Sequence, residues 1–137
     1  MKRMILVALL AATATFSANA QKVTADKVPA AVKTAFMKAY PKASEVSWEK
    51  EKNGDFEVGL KQGKDEISVV YNPQGKEQEV ETEIKTSELP PAVQAALKGK
   101  KVQEAAIIKK GGKTYYEAEV GGKDLLFDAN GKPIKVG

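Results

Sequence analysis

The chain is 137 residues long, with 22 Lys and Arg, 18 Asp and Glu, and neither Cys nor His. The missing thiols and imidazoles exclude a disulfide framework, the usual Cys and His metal sites, and any Cys- or His-based nucleophile or general base. Removing Lys2 and Arg3, which belong to a segment expected to leave the chain, takes 22 cations to 20, all Lys, against 18 acids; this mixed net charge of +2 lacks the Arg forks and clustered patches of nucleic-acid recognition.

Residues 1–20 carry the marks of a secretory signal. Lys2 and Arg3 form the positive start, Met4 to Ala12 the apolar stretch, and Ala18-Asn19-Ala20 the small-residue cleavage pattern, with Gln21 as the expected mature N-terminus. The apolar run is short of the roughly 20 residues that span a bilayer, so no membrane insertion is expected after cleavage. Gln21 to Lys27 is polar and expected to fray. A first helix should then start with Asp26 or a neighbour as cap and Pro29 in its first turn, and run along the apolar stripe Val28, Val32, Ala35, Phe36 and Ala39. Tyr40-Pro41 closes it, because the residue before a proline is pushed out of the helical region.

From Ala43 the period falls to two. Val46 and Trp48 alternate with Glu45, Ser47 and Glu49, the pattern of a half-buried antiparallel strand. Asn53-Gly54 predicts a tight two-residue hairpin with positive φ at both positions. The returning strand, Asp55 to Lys61, puts Phe56, Val58 and Leu60 on one face. A turn at Gln62-Gly63-Lys64 leads to Glu66 to Tyr71, and Asn72-Pro73-Gln74-Gly75 makes the next turn. Lys76 to Ile84 carries Glu77, Glu79, Glu81 and Glu83 on one face and reads as exposed on that side and close to the sheet edge.

The pattern then recurs. Val28-Pro29-Ala30-Ala31-Val32 returns 61 positions later as Leu89-Pro90-Pro91-Ala92-Val93, with Ser87 as the expected cap and Gly99 as the stop of a shorter helix. Strands are expected at Val102 to Lys110, Lys113 to Val120 and Asp124 to Asp128, with a last one through Ile134 and Val136 after the turn Asp128-Ala129-Asn130-Gly131. The expected fold class is therefore α+β: two tandem pseudo-repeats, residues 21–84 and 85–137, each one helix followed by about four antiparallel strands, with the helices on one face of an antiparallel sheet.

Val28-Pro29 to Phe36, the Tyr40-Pro41 stop, Trp48-Glu49, Phe56-Glu57-Val58 and Tyr71 to Gly75, with their second-copy counterparts, resemble the β-lactamase-inhibitor-like, PepSY-like family of secreted bacterial proteins. The resemblance implies helices against an antiparallel sheet, an exported protein, and a role in restraining a hydrolase. It supplies no inhibitory motif that can be matched residue by residue.

No catalytic, cofactor-binding or metal-ligating residue is assigned. The acidic face from Glu77 to Glu83 brings carboxylates about 7 Å apart, a glycosidase-like spacing in bare geometry, but the same pattern is what a solvated strand face looks like. It lacks the Asp-rich, Gly-kinked loop of a dedicated calcium site. Trp48 is read as an inward anchor, with an exposed hot spot as the alternative. Tyr115 must stand opposite Tyr116, beside Glu117 and Glu119 and near Lys113, which makes Tyr115, Trp48, Glu117 and Lys113 the candidate partner-binding residues. The expected function is that of a non-enzymatic binding module, periplasmic or secreted, whose partner is another protein in the envelope or outside the cell. The alternative is a small-ligand or ion carrier using a cleft between the two copies.

Overall fold

The computed structural model describes residues 20–135. The expected secretory signal, up to residue 19, and Val136 of the expected last strand lie outside the described residues.

Nine antiparallel strands follow one another in sequence order across a single sheet: β1 (Gln21–Val23), β2 (Ser44–Lys50), β3 (Phe56–Gln62), β4 (Asp65–Tyr71), β5 (Glu77–Ile84), β6 (Val102–Lys110), β7 (Lys113–Val120), β8 (Lys123–Phe127) and β9 (Pro133–Ile134). Two helices interrupt the meander, α1 (Ala30–Ala39) and α2 (Pro91–Ala96). This overturns the expected fold class of two helix-plus-strand pseudo-repeats. The sheet runs on without a break because β5 pairs with β6 from Glu79↔Lys110 to Ile84↔Ala105, so backbone groups at the supposed boundary bond across it. Among the described residues only α1 is a helix of substantial length; α2 has six residues and gives way at Leu97, ahead of Gly99 with φ 81°.

Other local expectations change for identifiable reasons. The polar segment after Ala20 does not fray, because Gln21, Lys22 and Val23 pair with Lys50, Glu49 and Trp48. Asp26 and Ser87 do not cap the helices. They sit in single 3₁₀ turns, Ala25–Lys27 and Thr86–Glu88, and Pro29 and Pro90 occupy the N-cap positions instead. Asn53-Gly54 does not form a two-residue turn with two positive φ angles: only Gly54 is positive, at 94°, and the loop spans Glu51 to Asp55. In β2 a bulge between Ser44 and Ser47, with Glu45 at φ 51°, shifts the alternation, so Val46 is exposed while Trp48 is buried. The acid-rich strand β5 is the middle of the sheet and not near its edge.

Both helices lie on the same face. Under α1, Val28, Val32 and Phe36 pack with Trp48, Phe56, Val58, Leu60, Val69 and Tyr71, and the Phe36 and Trp48 rings meet edge to face at 5.2 Å. Under α2, Leu89, Val93 and Leu97 pack with Ala105, Ala118 and Phe127. A matching turn holds each helix. Asn72 Oδ1 accepts from the amides of Gln74 and Lys76, and Asp128 Oδ1 from those of Asn130 and Lys132. The glycines that close these turns, Gly75 at φ 84° and Gly131 at φ 77°, press against the helices so closely that a Cβ would lie 2.6 Å from Ala31 O and 2.4 Å from Ala92 O.

Candidate functional site: the uncovered sheet face

Because strand side chains alternate, every apolar residue turned toward the helices leaves its neighbours on the opposite face. Cross-strand register arranges those neighbours in rows. One row runs Glu49, Glu57, Val70, Glu79 and Lys110; the next runs Ser47, Gly59, Ser68, Glu81, Ile108 and Tyr115; a third includes Glu83, Ala106, Glu117 and Leu126. Neither helix covers this face. Even so, Glu49, Glu57, Glu79, Glu81 and Glu117 are buried, shielded by one another and by long neighbours across the strands.

Burying a carboxylate without a full set of partners disfavours its charge. Glu57 is pushed up to about 8, first by burial and then by the adjacent Glu51 carboxyl, although the Ser68 hydroxyl donates to its Oε1 at 2.8 Å and opposes the rise. Glu81 rises to about 10 through burial, with the charges of Glu117 and Glu79 adding to it. Glu117 rises to about 8 through burial and the neighbouring Asp124. Glu79 also rises by burial, tempered by Lys110 Nζ at 3.3 Å. Lys61 is held by Glu45 at 3.0 Å and Glu66 at 3.8 Å.

The face holds a small hollow of about 70 Å³, lined among others by Ser47, Glu49, Glu57, Gly59, Ser68 and Glu81. It lies over β2 to β5, so it is not a cleft between the two halves of the chain. Nearby, Glu49, Glu51 and Glu57 each bring an oxygen within 4.8 Å of the others, a grouping that a hard cation could use. Raised carboxyls also serve general acids, but here they are strung along rows of an open face and do not converge in a deep cavity.

The structure separates the four candidate partner-binding residues. Lys113, Tyr115 and Glu117 share the uncovered face of β7, with Lys113 exposed, Tyr115 half-buried and Glu117 buried. Trp48 lies on the other side, in the core against Phe36. Sequence reasoning assigned no role to Glu49, Glu57, Glu79 or Glu81. Their shared parity, opposite to the apolar residues of each strand, was visible in the sequence; their burial was not.

Comparison with known proteins places the chain. Solved structures with the same fold include a DUF2874 family protein from Bacteroides uniformis (24% identity, TM-score 0.70, covering 78% of this chain and 86% of that one). A chain from Bacteroides eggerthii described among "putative periplasmic proteins" aligns at 20% identity with TM-score 0.71, covering 79% of this chain and 86% of its own. A BLIP-like protein from Bacteroides fragilis aligns at 24% identity with TM-score 0.65, covering 78% and 84%. At these identities the likeness speaks for the fold. No curated protein matches the sequence. The family described as "Putative beta-lactamase-inhibitor-like, PepSY-like" matches residues 14–78 and again residues 63–135. With nearly the whole described chain matched, the protein belongs to the beta-lactamase-inhibitor-like, PepSY-like family.

Proposed function

We propose that the chain is a non-enzymatic, exported binding module whose uncovered sheet face engages another protein, with a periplasmic or secreted hydrolase as the class of partner that the family's inhibitor-like description suggests. The observation that carries this reading is a broad sheet face, bare of helices, on which carboxyls are held with raised proton affinity. Polar and ionisable groups arrayed on such a face offer a partner electrostatic complementarity, which sets specificity and the rate of encounter. The description of one structural relative as periplasmic supports export, as does the positive, apolar, small-residue order of residues 1–20.

The test is capture from an envelope extract with residues 21–137, followed by calorimetry with the purified protein identified. Tyr115→Ala should weaken binding severalfold and Met37→Ala, on the exposed side of α1, should leave it unchanged. Capture of no specific protein, or equal loss with Met37→Ala, counts against the reading. The carboxylate trio Glu49, Glu51 and Glu57 favours one other reading, an ion carrier. It predicts a rise in melting temperature with a divalent cation that Glu57→Gln abolishes.

A further inference from the structure

Glu117 is 4% exposed, and its Oε2 has no hydrogen-bond partner among the described residues. Buried acceptors without donors are rare and costly, so each asks for an explanation. Around this oxygen the face is acidic from every side: Glu79 and Glu81 from β5, Glu104 from β6, Glu119 on its own strand and Asp124 from β8. Lys110, a basic group on this face, is engaged with Glu79. Glu81, 7% exposed, lies diagonally across β6 from Glu117, and each adds to the same crowded field. Among the described residues no donor reaches this oxygen, and the charges that weigh most on Glu117 are negative.

Building on the protein-binding reading above, we propose that this face docks a basic loop of its partner protein, seating one Arg or Lys side chain between Glu81 and Glu117, where it donates to the open Glu117 oxygen. Charge complementarity sets the occupant. A guanidinium or ammonium group brings N–H donors and a positive charge together, and a single buried pair of this kind supplies both missing elements. A hard cation needs six or more oxygens closely gathered, and the three carboxylates that do gather are Glu49, Glu51 and Glu57, on the β2–β3 side of the sheet. The row positions also suit an extended ligand: Glu57 on β3 and Glu117 on β7 are four strands apart, about 19 Å at the usual strand spacing.

The probe is a cyclic peptide carrying two arginines in an otherwise Gly-Ser ring, titrated into residues 21–137 and followed by calorimetry and backbone amide shifts. Its citrulline counterpart is the neutral control. The arginine peptide should bind, with amide shifts centred on β5 to β7, and the citrulline peptide should not. Glu117→Gln should weaken it more than tenfold, since truncating one side of a buried charge pair costs at least that much. Glu88→Gln, an exposed acid on the 3₁₀ turn before α2, should change it less than twofold. Affinity should rise between pH 6 and pH 9 as Glu117, pushed up to about 8, loses its proton to solvent and can pair with the cationic guest. Equal weakening by Glu117→Gln and Glu88→Gln, shifts confined to β2 and β3, or calcium binding that displaces the peptide, would each overturn the proposal. If a captured protein partner binds Glu117→Gln as tightly as the parent, the basic-loop proposal fails and the binding-module reading stands. If no partner is captured but the peptide still binds at Glu117, the site's affinity for a basic side chain stands while the protein-partner reading, and with it the assignment of that side chain to a partner loop, fails.

Discussion

The two cores beneath the sheet differ in weight. Under α1 four aromatic rings are buried, Phe36, Trp48, Phe56 and Tyr71, whereas under the shorter α2 only Phe127 is, and Ala105 and Ala118 stand where the first core has larger side chains. Aromatic side chains bury 150–250 Å² each, so the first core carries more of the hydrophobic stabilisation. What the contrast teaches is that similar local patterns need not make equal units. The lighter half is supported through the β5–β6 pairing, which joins it to the heavier one as a single sheet.

The strongest way to break the comparison is to truncate one anchor in each core. Phe36→Ala should cost about 3–5 kcal/mol and Leu97→Ala about 2–3 kcal/mol, with the difference reflecting how much each core can collapse. Urea unfolding should show one transition for both variants, with unchanged slope. Two separated transitions would mean that the halves unfold independently across β5 and β6.

A smaller effect sharpens the same comparison. Gly75→Ala and Gly131→Ala each force a Cβ against a helix carbonyl at a backbone angle that L residues avoid, and each should cost about 1–3 kcal/mol. If α1 is the better anchored helix, Gly75→Ala should lower the melting temperature without loss of helical signal at 20 °C, while Gly131→Ala should loosen α2 first. Amide exchange at Gln94, Leu97 and Lys98, which bond within and just after α2, measures this directly.

The gentlest probe is pH. Burial raises Glu57, Glu81 and Glu117 above the ordinary carboxyl value of 4.5, so the folded chain retains protons that the unfolded chain releases. Their contribution to stability is full below about pH 4.5 and is lost as pH climbs through about 8 for Glu57 and Glu117 and about 10 for Glu81. Stability should therefore fall from pH 5 to pH 9, as read from the urea midpoint. Glu81→Gln should flatten that slope more than Glu57→Gln, because the Ser68 hydrogen bond already eases the charge on Glu57. A midpoint that rises over this range would show these carboxyls to be better solvated than their burial implies.

Much of the local structure was legible. The stripe from Val32 to Phe36, the alternation Phe56, Val58, Leu60 and the parity of Tyr115 against Tyr116 all follow from side-chain periodicity, and the structure keeps them. What failed depended on pairing partners far away in the chain. Gln21 to Val23 carries no strand signal of its own and becomes a strand because β2 offers an open edge. Glu79 and Glu81 read as solvated because a row of acids on one strand looks like a surface; only their neighbours on β4 and β6 bury them. The bulge at Glu45 exposed Val46 without any glycine or proline to announce it.

Composition alone removed thiol and imidazole chemistry, and periodicity alone decided which side chains share a face, since both are properties of the chain that hold before it folds. Tertiary structure decided that the strands form one sheet, that α2 is a six-residue turn of helix, and that the acids on the uncovered face are buried and raised. The physical reason is that strand pairing and desolvation are set by what lies across the sheet, and no stretch of sequence carries that information by itself.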